Sequence, residues 1–224
     1  MDMQMTNRVP DWLTPVSWVF VALAVVSAAV IAAVIAADIY ARSRRHSSVA
    51  TELVWIASAL YLGPIALLLY RHHVRITARP SGPEASPDFQ ATAIAGLPGG
   101  GASAVAHLIG VPLVIASGLT IAGIDLWVMI IVIGVLATIL LFGYERATGR
   151  YGRNRVLPVG NAVLAAVVTV LAFDIGMGGW MLLLHFNELM PPATDGSFWF
   201  LMQIGVVLGL LTGYPAVAWL TRRG

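Results

Sequence analysis

The sequence predicts an all-α, polytopic transmembrane bundle of about six spans. Three observations carry this. The chain is 58% apolar and only 11% charged, whereas a soluble domain carries about 25% charged and 45–50% apolar residues. The apolar residues gather in runs of roughly 20, the length that crosses a hydrocarbon core about 30 Å thick. The arginines lie outside those runs.

The first span runs from about Val16 to Tyr40. A secretory signal has an apolar region of roughly 7–15 residues behind several basic ones. This run is far longer and only Arg8 precedes it, so a retained helix is expected. The second span, about Leu53 to Tyr70, is followed by RHHVRITARPSGPEASPDFQ, a polar, Pro-rich loop or interfacial segment. GLPGGGAS then reads as a tight turn before the third span, about Gly101 to Ile121. Its alternative is a helix start whose exposed N–H groups hold an anion. The fourth span covers about Leu126 to Tyr144, the fifth about Val156 to Phe186, and the sixth about Phe198 to Leu220.

Six spans place both termini on one side, together with the second and fourth loops. That side carries Arg8, Arg71, Arg75, Arg79, Arg146, Arg150, Arg153, Arg155, Arg222 and Arg223. The other side carries Arg42, Arg44 and Arg45. The excess of arginine makes the first side, with both termini, cytoplasmic. The cluster ARSRRH is the exception to that rule.

Composition also excludes chemistries. The chain has no Cys, so disulfides, thiolate metal ligands and cysteine nucleophiles are absent. Every one of its 13 basic residues is Arg, which removes Schiff-base chemistry and the P-loop lysine. The natural partners of these arginines are lipid phosphates of the bilayer rather than nucleic acid. No HExxH or GxSxG pattern appears, no cofactor is implied, and an enzyme is the weaker expectation.

What remains is a small set of polar groups inside apolar runs. Asp174 falls near the midpoint of the fifth span, where an Asp costs about 2.5–3.5 kcal/mol on insertion scales and is expected to face protein or water. On a helix Gly178, Met181, His185 and Glu188 lie within about 40° of it, forming one polar stripe. Its functional reading is a track for a proton, cation or small solute; its structural reading is a hydrogen-bonded buried Asp. His107 in the third span sits among small residues that permit close helix approach. In the sixth span Gln203 is the strong polar group, and Gly205, Gly209 and Gly213 form a smooth packing ridge. Met177, Met181, Met190 and Met202, with His107 and His185, raise copper(I) handling, although methionine is also an ordinary packing residue; no residue is assigned as a metal ligand.

Four stretches, ALYLGPIALLLYRHH, GGGASAVAHLIG, FDIGMGGWM and FWFLMQIGVVLGLLTGYP, resemble the bacterial membrane-protein family catalogued as domain of unknown function 4396. The resemblance implies a small polytopic helical protein of a bacterial cytoplasmic membrane and supplies no mechanism. Members of that family with a Cys-containing stretch before the third helix have thiols where this chain has PGGGAS.

The leading functional expectation is a small transporter or permease whose polar centre combines Asp174, His107 and Gln203. The alternative is a membrane scaffold or assembly factor that binds a second copy or a partner helix along the glycine ridge. Metal handling is the third reading.

Overall fold

In hydrocarbon each backbone N–H and C=O must be satisfied within the protein, which favours helix wherever the chain is apolar. The structure, a computed structural model, describes residues 12–42, 48–77, 89–148 and 158–223, with Pro10 and His46. Among them are seven helices: α1 Leu13–Tyr40, α2 Val49–Leu62, α3 Pro64–Thr77, α4 Phe89–Ser117, α5 Asp125–Thr148, α6 Val159–Phe186 and α7 Gly196–Arg223. Five of these, α1, α4, α5, α6 and α7, are long and apolar enough to cross a membrane. The protein is therefore an all-helical, multi-pass membrane protein, as the apolar runs predict.

The second apolar segment has its own form. Its run is interrupted at Gly63, whose φ of 53° is open to glycine, and Pro64 follows without an N–H to continue the ladder. The chain folds back there. Trp55 of α2 meets Tyr70 and His73 of α3 at ring-centroid distances of 5.4 and 5.2 Å. Tyr70 donates its hydroxyl hydrogen to Asp38 of α1 at 2.9 Å. α2 and α3 thus form a helical hairpin whose two ends lie together beside the end of α1. With 14 residues, α2 is about 21 Å long, too short for a hydrocarbon core about 30 Å thick.

The hairpin tip reaches into the bundle. Breaking the helix at Gly63–Pro64 deprives the last carbonyls of α2 of their usual donors. Gln203 of α7 replaces one of them, donating its Nε2 hydrogen to the Tyr61 carbonyl at 2.9 Å. The Tyr61 hydroxyl donates in turn to the Leu97 carbonyl of α4 at 2.9 Å. Gln203→Leu leaves the Tyr61 carbonyl unpaired in apolar surroundings and is expected to cost about 1–3 kcal/mol. A thermal midpoint equal to wild type in detergent would contradict this role.

GLPGGGAS, expected as a turn, is instead part of the continuous helix α4, which also contains Pro98 and Pro112. The demand for backbone pairing in an apolar setting outweighs the poor helix propensity of these residues. The glycines serve close packing. A Cβ on Gly100 would lie 2.7 Å from the Tyr61 ring, and one on Gly99 would lie 2.8 Å from a Thr169 methyl. The third apolar helix accordingly begins well before Gly101.

α4 and α5 are joined by a tight reversal. Ile121 and Ile124 exchange both backbone hydrogen bonds at 3.0 Å, across Ala122 and Gly123, both with positive φ, as a mirror-image hairpin turn requires. α6 and α7 form the closest pair in the bundle, with the Trp180 indole donating to the Leu201 carbonyl at 3.0 Å.

Contacts order the helix ends into two poles. The start of α1 lies beside the start of α7. Thr14 donates to Asp195 at 3.4 Å, and the rings of Phe20 and Phe200 meet at 5.0 Å. α1 and α7 are therefore parallel. One pole, the Asp195 pole, holds the starts of α1 and α7, the α4–α5 turn and the end of α6. The Arg222 pole holds the end of α1, the base of the hairpin, the end of α5 and the end of α7. All five arginines with described side chains, Arg42, Arg71, Arg75, Arg146 and Arg222, belong to the latter. Because the second segment returns to the pole it left, Arg42 shares a pole with the others. Arg8, Arg44, Arg45, Arg79, Arg150, Arg153 and Arg155 lie outside the described residues.

Candidate functional site

The fifth apolar run places Asp174 halfway along α6. Opposite it on α5 is Gly134, where a Cβ would stand 3.3 Å from an Asp174 carboxylate oxygen. A side chain at position 134 would crowd the carboxylate, so glycine leaves the room it occupies. Asp174 is partly buried and makes no hydrogen bond to any described residue. Instead it borders a cavity of about 30 Å³ that is also lined by His107, Gly178 and four methionines, Met129, Met177, Met181 and Met202.

His107 projects from α4. Its Nδ1 lies 2.8 Å from the Ser103 carbonyl oxygen. A carbonyl only accepts, so Nδ1 carries the proton in that bond and Nε2 of the neutral ring is the acceptor. The small residues around it let α4 lie close to α5: a Cβ on Gly110 would meet Ile133 at 2.8 Å.

A second, larger cavity of about 520 Å³ adjoins the first. It is a mostly apolar groove between α1, α4 and α7. It begins near Trp18 and Trp199 by the Asp195 pole and extends inward to Ala32, Leu60 and Gly100. His107 and Gln203 both line it, and His107, Met177 and Met202 border both cavities. The structure thus brings Asp174 and His107 to one cavity, and His107 and Gln203 to the other. Asp174 and Gln203 share neither of these two cavities.

Residues 88–224 match the family described as Domain of unknown function (DUF4396). That is more than half of the chain. The chain belongs to the DUF4396 family. No curated protein matches it, and no solved structure does.

The DUF4396 segment starts at α4 and so contains Asp174, His107, Gln203, Gly134 and all four cavity methionines. α1 and the α2–α3 hairpin, including ALYLGPIALLLYRHH and Tyr61, precede it. Within the segment the expected polar stripe is only partly assembled. Met181 and Gly178 reach the Asp174 cavity. His185 lies at the end of α6 with its ring edge-on to Phe186 at 5.4 Å, and it borders neither cavity. α6 ends at Phe186 and Glu188 has φ of 60°, which takes it off the helical stripe.

The glycine ridge of α7 is covered within the chain. A Cβ on Gly209 would lie 2.7 Å from the Phe173 ring, one on Gly205 3.1 Å from Trp180, and one on Gly213 3.9 Å from Phe173. The ridge therefore meets α6 rather than standing open to another protein.

Two features of the site have little signal in the sequence. Met129 and Gly134 lie on α5 among ordinary apolar residues, and only the packing of α5 against α6 brings them to Asp174. At the Arg222 pole, Asp38 accepts from both Tyr70 and Arg42, the latter at 3.2 Å. There the fully buried Glu52 accepts from the His46 backbone N–H at 3.0 Å. Burial pushes the His46 imidazole below its ordinary range, outweighing the raising pull of Glu52. This network fastens the base of the hairpin. Among the described residues, no three His, Asp or Glu side chains are grouped to hold a metal ion.

Proposed function

We propose that the protein is a small transporter that passes a proton or another small cation through the centre formed by His107 and Asp174. The observation that carries this reading is the cavity of about 30 Å³ shared by these two side chains midway through the bundle. A water molecule needs about 10–15 Å³ of such space, so the cavity suits one or two waters or a single ion. Drug-sized organic solutes need several hundred Å³ and do not fit it.

Cost supports the same reading. An Asp at mid-bilayer is unfavourable by about 2.5–3.5 kcal/mol, and intramembrane carboxylates mark ion or proton pathways. Asp174 is partly buried and makes no hydrogen bond to the described residues, so its carboxylate is left facing the cavity it borders. The larger groove leads from the Asp195 pole to His107. On the other side, Thr169 lies one and a half turns along α6, roughly 7–8 Å toward the Arg222 pole. The buried Glu145 lies further along, near the end of α5.

The orientation that follows puts the Arg222 pole in the cytoplasm. Apart from Arg8, every arginine of the sequence belongs to a helix end or a connection that joins helix ends of that pole. The positive-inside rule then has no exception in ARSRRH. It keeps the C-terminus cytoplasmic and places the start of α1 opposite. Single-cysteine labelling is direct because the chain has no Cys of its own. An impermeant thiol reagent applied to sealed, right-side-out vesicles is expected to label Pro10→Cys and to spare Arg222→Cys. Equal labelling of both would contradict this arrangement.

Transport itself is tested by reconstituting the full chain in liposomes adsorbed to a solid-supported membrane. Rapid steps of proton, sodium or copper(I) concentration are expected to evoke a current with at least one of them. A response indistinguishable from protein-free liposomes for all three would overturn the proposal.

A further inference from the structure

The chemistry of the small cavity narrows its cargo. Four helices contribute residues that carry donor atoms: His107 from α4, Met129 from α5, Asp174, Met177 and Met181 from α6, and Met202 from α7. From them we infer that the cavity binds a single soft monovalent cation of the copper(I)–silver(I) class. This rests on the reading above that the centre takes a small cation, and it names which one.

Three physical arguments lead there. The first is donor softness. Thioether sulfur is a poor ligand for protons, sodium, magnesium or calcium, whereas thioether and imidazole together suit copper(I). Methionine is a common packing residue, and these four also pack in apolar clusters; what points to a ligand is that all four border one space with a histidine and a carboxylate. His107 is set up for ligation: its Nδ1–H is held by the Ser103 carbonyl at 2.8 Å. That leaves the Nε2 lone pair as the coordinating site, the arrangement by which ligating histidines are oriented.

The second argument is charge. Thioethers and a neutral imidazole contribute none, so Asp174 is the single anionic donor in the cavity. One carboxylate neutralises one monovalent cation and leaves no net charge in an apolar interior. A divalent ion would leave an excess positive charge, and no grouping of three His, Asp or Glu exists among the described residues to remove it.

The third is size. A space of about 30 Å³ accommodates a bare ion whose hydration shell the protein replaces. At about 10–15 Å³ of such space per water it holds at most two or so waters, not a hydrated ion with its full first shell. Soft cations bond strongly to thioether sulfur, and that bonding offsets the loss of their hydration shell.

The test uses the purified full chain in lipid nanodiscs. Copper(I) is supplied anaerobically as its complex with a chromophoric chelator, bicinchoninate, whose bleaching reports transfer. Wild type is expected to withdraw one equivalent per chain, with X-ray absorption showing sulfur neighbours. The double substitution Met177→Leu and Met181→Leu conserves volume and helix propensity. It is expected to weaken binding at least about 10-fold, since even indirect support of a metal ligand is worth 10–100-fold. Met190→Leu, in the α6–α7 connection and outside the cavity, is expected to bind as wild type does. Circular dichroism and thermal midpoints verify that each variant is folded, and Met181→Leu alone serves if the double variant does not fold.

Failure to withdraw copper(I), or equal affinity in wild type and the Met177/Met181 variant, overturns the inference. Proton- or sodium-evoked currents in a protein that binds no copper(I) would leave the transport reading standing without it. Stoichiometric copper(I) binding with no current of any kind would do the reverse, leaving a soft-cation site in a protein that does not transport.

Discussion

If the centre carries a cation as proposed, Asp174→Asn is expected to reduce cation-evoked current at least about tenfold while leaving the protein folded. Asn has nearly the same shape as Asp, so the approach of Gly134, whose Cβ position lies 3.3 Å from the carboxylate, is undisturbed. What disappears is the ability to carry a proton or to offer a negative charge. Removing a charge that costs about 2.5–3.5 kcal/mol to place at mid-bilayer should also hold or raise the thermal midpoint. The pair of readouts separates transport from packing: a stabilised, inactive variant is the expected result. Full activity of Asp174→Asn would show that the carboxylate takes no part in the passage.

Gly176→Val produces the largest loss of stability expected in the bundle. Even a Cβ at this position would fall about 2.4 Å from the Leu208 carbonyl oxygen and 2.5 Å from the Thr212 hydroxyl. The first obstacle is backbone and cannot rotate aside, so α6 and α7 must separate. Overpacking typically costs about 1–3 kcal/mol and sometimes more, and here the closest helix pair of the structure bears it. Gly179 makes the contrast. Nothing lies within 4 Å of a Cβ there, and Gly179→Ala is expected to be neutral or stabilising by up to about 1 kcal/mol through helix propensity. Thermal midpoints in one detergent check both; equal midpoints for the two variants would contradict this account of the glycine cluster.

That contrast illustrates how far the sequence could be read. FDIGMGGWM presents three glycines with no way to rank them, because rank depends on what α7 and α5 place opposite. The apolar runs disclose the helices, since backbone satisfaction in hydrocarbon leaves few alternatives. The isolated polar residues Asp174, His107 and Gln203 also stand out against those runs. Their grouping does not, because helix rotation and neighbour order decide it. Gln203 proves to pair with the Tyr61 carbonyl, a group with no side-chain signature at all.

The hairpin was hidden for a related reason. LVWIASALYLGPIALLLY has the length and hydropathy of a crossing, and Gly63–Pro64 looks like a tolerable kink. Its trace was in the charges. ARSRRH breaks the positive-inside pattern for six crossings; in the proposed orientation, with the second segment returning to the pole it left, it is no longer an exception. GLPGGGAS misled in the opposite direction, because glycine and proline signal turns in water, whereas here they let Tyr61 and Thr169 approach α4.

Whether the centre is hydrated can be measured in the unmodified protein. Radiolysis of water generates hydroxyl radicals wherever water resides, and methionine beside that water is converted to its sulfoxide. In nanodisc-embedded wild type, mass spectrometry should find Met177 and Met181 oxidised at rates approaching that of Met190 in the α6–α7 connection. Both cavity methionines are buried, at 2% and 5% exposure, so bulk solvent alone would not reach them. Oxidation of Met190 with Met177 and Met181 left intact would mean a dry, packed centre, and the passage through His107 and Asp174 would not exist.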